Sequence, residues 1–140
     1  MNYYNEIKNE LINNEINRKV KNYSINKSDL TTYYNVGKLL SEAGKHYGDG
    51  IIKEYSKKLT NELNLNYTKS SLYNMINYYK LISDSKFQTV SGKLSWSHYV
   101  ELIHIKNTIK IRYYIDMYLL YNLSRNNLRK RILSKEYQLI

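Results

Sequence analysis

Not one of the 140 residues is proline. Proline stops helices through its missing N–H and its clash with the preceding turn, so nothing in this chain forbids helix from end to end. The apolar side chains recur almost throughout in steps of three and four, the period of an α-helix, and no strand-like alternation lasts more than a few residues. Tyr4, Ile7 and Leu11, then Ile12, Ile16 and Val20, predict a first helix over Tyr3 to Asn22. Its polar face is rich in asparagine, a mediocre helix former, so tertiary packing must hold it. A second helix is expected from Ser28, taken as its N-cap, with Leu30, Tyr33, Tyr34, Gly37 and Leu40 on the apolar face. Gly44, Gly48 and Gly50 then mark a loop. The third helix is placed over Ile51 to Leu63. The fourth runs over Ser70 to Ile82, with Leu72, Met75, Ile76, Tyr79 and Ile82 as its inward stripe. After a polar, irregular stretch from Ser83 to Leu94, three more helices are expected at Trp96–Lys106, Thr108–Tyr121 and Arg125–Glu136, with Ser95 and Ser124 as caps. The expected fold is all-α, one compact bundle of about six to seven helices forming a single domain.

Composition narrows the function. The chain has no cysteine, which excludes a disulfide framework, a zinc finger built on thiolates and a thiol nucleophile. Seventeen tyrosines stand against one tryptophan and one phenylalanine. Tyrosine rings must therefore supply much of the core. No apolar run approaches the ~20 residues of a membrane span, and no basic-then-apolar leader opens the chain. The expectation is a soluble, cytoplasmic protein with no membrane partner. The net charge of +10 favours an anionic partner. Residues 1–70 hold 11 basic and 8 acidic side chains and residues 71–140 hold 11 and 4, so the second half is the better candidate for an anion-facing surface.

Two features fit such a partner. The third and fourth expected helices, joined by about five residues, form a helix–turn–helix candidate. With Leu72, Ile76 and Tyr79 inward, the fourth helix presents Ser70, Tyr73, Asn74, Asn77 and Lys80 outward, and Lys69 stands at its start. Asparagine pairs bidentately with adenine; serine, tyrosine and lysine contact phosphate; and a helix N-terminus favours an anion. Any two neighbouring bundle helices also give this pattern. The second feature is the last helix, where Arg125, Arg129, Lys130, Arg131 and Lys135 surround a seam of Leu128 and Ile132. Such a splayed set suits a polyanion, and it equally suits a solvated terminal helix whose cations complement its dipole.

Catalysis finds little support. His98 and His104 lie about 120° apart on a helix and His46 stands in the glycine-bounded loop, so no metal-binding histidine set forms. A core or capping role is expected for His98. The glycines do not make a phosphate loop. The triplets Glu6-Ile7-Lys8 and Asp84-Ser85-Lys86 lack the preceding acid or the sheet of a metal-dependent nuclease. No enzyme activity, no metal and no cofactor is expected.

The run Leu94-Ser95-Trp96-Ser97-His98-Tyr99-Val100-Glu101-Leu102 resembles the LSWSHY-x-EL signature of the YhcG-type N-terminal domain. Tyr34-Asn35-Val36-Gly37 is similar to the family's Y-W-x-I-G helix, and Tyr47-Gly48 with Leu59-Thr60 to its YG…L-[ST] stretch. Ser71-Leu72 with Met75 is similar to its N-L-x-x-M step, Arg112-Tyr113-Tyr114 to R-x-F-Y, and Leu123-Ser124 through Ile132 to its last helix. Tryptophans of the family are replaced by Tyr34 and Leu123, and its helix-start asparagine by Ser71. The resemblance implies a helical module of helix–turn–helix character with a DNA-binding role, usually preceding a PD-(D/E)XK-like nuclease domain. Trp96 is expected to be buried at a capped helix start.

The expectation is therefore a non-catalytic nucleic-acid-binding module, DNA ranking above RNA. Its contacts are Lys69, Ser70, Tyr73, Asn74, Asn77 and Lys80 on one helix and Arg125, Arg129, Lys130 and Arg131 on the last. A homodimer would fit by pairing half-sites. The alternative is a small phage or mobile-element protein that binds and inhibits a host nucleic-acid-processing or defence protein such as a nuclease. The chain ends about where a nuclease domain would begin, so it is expected to carry none, whether as a fragment or as a complete short protein.

Overall fold

The computed structural model describes residues 2–20 and 24–139. Those residues form seven α-helices and two 3₁₀ turns, with no strand among them: α1 (Tyr3–Lys19), α2 (Ile25–Tyr47), α3 (Gly50–Leu63), α4 (Lys69–Ser83), a 3₁₀ turn (Ser85–Val90), α5 (Trp96–Leu102), α6 (Thr108–Tyr121), α7 (Arg125–Leu133) and a second 3₁₀ turn (Glu136–Leu139). The all-α class follows. The chain divides into two compact units, residues 1–93 and 94–140.

The asparagine and serine content explains how so many helices fit into a chain without proline. Asn2, Ser24, Thr68, Ser95, Asn107 and Ser124 each turn a side-chain oxygen onto a first-turn N–H, and only α3 starts without such a bond. These caps satisfy donors that the helix cannot. Asn64 and Asn122 end α3 and α6 in the left-handed conformation, at φ 55° and 49°, which asparagine tolerates better than most residues.

In the first unit α2 is the central element, packing most extensively on α4 and α1. The approach to α4 is closest at Gly37, where a Cβ would overlap the Met75 carbonyl and crowd the Tyr79 side chain. Val36, Leu40, Ala43, Leu59 and Leu72 are wholly buried around this contact. Between α1 and α2 part of the packing is polar. Asn14, 2% exposed, donates to Asp29 Oδ1 at 2.9 Å and accepts the hydroxyl of buried Ser28. Arg18 Nη1 reaches both Asp29 oxygens at 3.0 and 2.9 Å. Each buried polar group of this set thus has a partner, which burial requires. Tyr4 and Tyr33 have hydroxyls pushed up to about 12, by burial first and then by Glu62 and Asp29 respectively.

Several boundaries differ from expectation. Helix α1 stops at Lys19, and the expected end at Asn22 lies outside the described residues. Ser28 is not a cap. Helix α2 begins one turn earlier at Ser24, because Ser28 and Asp29 find partners on α1. The glycine loop shrinks to Gly48–Asp49: α2 runs through Gly44 to Tyr47, and Gly48 at φ 85° ends it. A glycine inside a helix costs only about 1 kcal/mol, which a 23-residue packed helix absorbs. His46 accordingly sits in the last turn of α2. The stretch after Ser83 contains a 3₁₀ turn that buries Phe87 and Val90. Helix α5 ends at Leu102, short of Lys106, since the Asn107 side chain captures the Ile109 and Lys110 N–H groups and starts α6. Helix α7 ends at Leu133, short of Glu136, and Lys135 at φ 56° turns the chain into the final 3₁₀ turn.

Gly37→Ala should lower stability by about 1–3 kcal/mol, as overpacking does, read as a lower urea midpoint; an unchanged midpoint contradicts the close approach. Above pH 10, where solvated tyrosine ionises, unfolded chains shed protons that folded Tyr4 and Tyr33 keep to about pH 12. Their stabilisation is therefore complete below pH 10 and is lost as pH rises through 12. An ultraviolet titration should show late-ionising tyrosines, one fewer in Tyr4→Phe and in Tyr33→Phe; a single uniform transition in the native protein contradicts this.

Candidate nucleic-acid interface

The turn between α3 and α4 is held from α3. Ser56 Oγ donates to the Tyr67 carbonyl at 2.6 Å, and Thr60 Oγ1 accepts the Tyr67 N–H at 3.1 Å. Tyr67 is itself buried, so the turn is pinned to the unit. From it α4 starts with Thr68 capping the Ser71 N–H at 3.0 Å. The first N–H groups of a helix have no intrahelical acceptor, and they lie beside exposed Lys69 and Ser70.

The inward side of α4 is wider than the expected stripe. Leu72, Met75, Ile76, Tyr78, Leu81 and Ile82 are buried, whereas Tyr79 is half-buried with its ring 5.2 Å from Tyr34. Ser70, Tyr73, Asn74, Asn77 and Lys80 fall on an arc of about 120° at 100° per residue, an arc that buried Leu81 enters from the last turn. That arc is not uniformly open. Ser70 and Lys80 are exposed, but Tyr73, Asn74 and Asn77 are half-buried, and Lys69 leans over the Tyr73 ring at 5.8 Å. The outward face therefore offers a basic, hydroxyl-bearing start and a basic end, with the asparagines recessed between.

The cations of the last helix lie in the other unit. Arg125 Nε is 3.2 Å from Glu101 Oε1, and Arg131 Nη1 is 3.6 Å from Glu136 Oε2 with its guanidinium 5.0 Å over the Tyr121 ring. Arg112 pairs with Asp116 at 3.3 Å. These are all the acidic side chains of residues 94–140, and each faces an arginine. Among the described residues, five of the eight basic side chains in that unit have no carboxylate partner: Lys106, Lys110, Arg129, Lys130 and Lys135. Arg129 and Lys130 are exposed on consecutive positions of α7, whose buried anchor is Leu128. The pairing could not be seen in the one-dimensional charge count, because Glu101 and Arg125 are 24 residues apart.

The Leu94–Leu102 block builds this unit. Leu94, Tyr99 and Leu102 are wholly buried, while Trp96, expected in the core, is only half-buried. Ser95 caps α5 and its hydroxyl meets His98 Nδ1; His98 Nε2 lies 2.8 Å from the Leu123 carbonyl. A carbonyl only accepts, so Nε2 carries the proton and Nδ1 accepts from Ser95. The ring also stands edge-on to Tyr118 at 4.6 Å. His98 thus ties the start of α5 to the residue before the α7 cap, a structural role as its sequence context implied. Among the described residues no group of three or more His, Cys, Asp or Glu side chains converges in a way that could hold a metal ion. No helix among them is long and apolar enough to cross a membrane.

The DUF1016 N-terminal domain model matches residues 6–139, nearly the whole chain. The chain belongs to that family. The YhcG-type resemblance is to the same family, so the DUF1016 N-terminal motifs can be placed on the fold: the glycine is Gly37 at the α2–α4 contact, the [ST] position is Thr60 on α3, where it holds the turn, and LSWSHY is the α5 cap and its core. Comparison with curated proteins and with solved structures gave no match.

His98→Phe keeps an aromatic ring and removes both hydrogen bonds, leaving the Leu123 carbonyl without its donor. It should cost about 1–3 kcal/mol, seen as earlier thermal unfolding; an unchanged transition rules out the tie.

Proposed function

We propose that this DUF1016 N-terminal domain is a non-catalytic nucleic-acid-binding module whose preferred ligand is DNA. The observation that supports the reading is the uncompensated charge of the second unit, where every acidic side chain faces an arginine and, among the described residues, five cations are left over. Arg129 and Lys130 then supply the principal phosphate contacts, Arg125 and Arg131 being engaged with Glu101 and Glu136. Lys69 and Ser70 at the start of α4, with Tyr73 beside them, supply a second set from the first unit. Helix starts are where helix–turn–helix proteins meet base edges. Asn74 and Asn77 read bases only if the groove wall reaches a recessed face, so sequence preference is expected to be weak and phosphate contacts to dominate.

Such binding weakens steeply with salt, with a log–log slope of about −0.9 per phosphate neutralised on duplex DNA. Fluorescence anisotropy on a short duplex should give a slope shallower by one to two such units in the Arg129→Ala/Lys130→Ala double variant. Arg125→Ala should leave the slope near that of the native protein. Coincident slopes for the double variant and the native chain reject these two residues as contacts.

A protein-binding role, as of a phage or mobile-element inhibitor of a nuclease or defence protein, is the second reading. The exposed Ile109, Leu120 and Leu133, each about two-thirds accessible, favour it. Its mark is a specific partner retained from host lysate after nuclease digestion and lost in Leu120→Asp/Leu133→Asp.

A further inference from the structure

The first unit contains a groove of about 800 Å³ that none of the expected contacts touches. It runs between the first turns of α2, the last turn of α4 and the segment after it. Its floor is apolar and closed: Leu30, Tyr78 and Ile82 are 4%, 2% and 8% exposed. One wall is the half-buried ring of Tyr34, fixed edge-on against Tyr79. The rim is polar. Ser24, Asn26 and Thr31 contribute from α2, and Ser83, Gln88 and Ser91 from the far side. Among the described residues the lining contains one charged side chain, Lys27, and no carboxylate. Asp29 turns away to Asn14 and Arg18, and Asp84 is occupied in capping the Lys86 N–H.

We infer that this groove binds a nucleotide, with the base seated against Tyr34 over the apolar floor and a phosphate at Lys27. The volume falls within the ~300–1,000 Å³ of small-molecule sites, which are characteristically apolar with a few placed polar groups. An aromatic wall accepts the face of any base, and amide and hydroxyl groups on the rim can bond its edge. A lone lysine without a competing carboxylate supplies the charge-assisted bond that a phosphate needs. A peptide carboxylate would use Lys27 equally but leaves the aromatic wall and the ring of edge-bonding groups unexplained. The inference does not rest on the DNA-binding proposal, since the groove shares no residue with the α4 or α7 contacts. A free nucleotide and an unpaired nucleotide within a strand present the same chemistry.

Amide shift mapping of the full chain, titrated separately with the four ribonucleoside monophosphates, with a short single-stranded oligonucleotide and with a blunt duplex, tests it. Saturable shifts at Lys27, Thr31, Tyr34 and Gln88 are expected with the monophosphates or the single strand. Binding of the monophosphates identifies a free-nucleotide site, and binding of the strand alone identifies an unpaired nucleotide. Lys27→Ala should weaken binding about tenfold, the loss of one charge-assisted bond. Thr31→Trp, at an exposed rim position, should abolish it with the helical circular dichroism unchanged. The proposal is overturned if none of the single-stranded ligands gives saturable shifts there at millimolar concentration. It is equally overturned if folded Lys27→Ala and Thr31→Trp proteins both bind like the native chain.

Discussion

The contact of Gly37 with the Met75 backbone sets the arrangement of the first unit. Only glycine lets the backbone of α2 come this close to α4. With that close approach, and with Leu72, Met75, Ile76 and Tyr78 buried, α4 becomes a core helix. A helix–turn–helix reader needs its second helix to stand proud, whereas here the packing leaves α4 open at its two ends and only partly along one arc. The close contact therefore bears on function as well as stability. On the outward arc of this helix it leaves open the start, where Lys69, Ser70 and the first-turn N–H groups lie, and Lys80.

In the second unit the governing effect is electrostatic. The three arginine–carboxylate pairs lie in partly exposed positions and contribute little to stability at that exposure. Their effect is on the distribution of charge. Neutralising Glu101, Asp116 and Glu136 uses three of eight cations and leaves the positive excess on Lys106, Lys110, Arg129, Lys130 and Lys135. A field of that sign attracts polyanions at long range and is weakened by salt. The signature block of the family mostly supports this surface, for Ser95, His98, Tyr99 and Leu102 are spent on the cap, the tie to Leu123 and the core, while its Glu101 pairs with Arg125.

Much of the fold was legible because the helices announce themselves by period and cap. Helix α6 has the bounds its sequence predicts, and α4 extends by one residue at each end, since Thr68, Asn107 and the apolar spacing leave little alternative. Two of the departures share one cause, a local pattern overridden by tertiary neighbours. Ser28 looks like a cap from its neighbours, but Asn14 on another helix claims its hydroxyl. Trp96 looks like the largest core residue, yet Leu94, Tyr99 and Leu102 fill that core. The candidate site was legible in residue type and helical face but not in exposure or pairing, because burial of Asn74 and capture of Arg125 by Glu101 depend on tertiary neighbours. The groove was least legible, as Gln88 and Ser91 come from the stretch that appeared featureless and meet α2 only in the folded unit.

The central claim is that nucleic acid meets this domain at the start of α4 and on α7. Amide shift mapping with a short DNA duplex at low salt tests it most directly. The account predicts the largest shifts at Lys69, Ser70, Arg129 and Lys130, with Ile109 and Leu120 unmoved. No saturable shift at any of the four basic and hydroxyl positions, or shifts confined to Ile109 and Leu120, would contradict it.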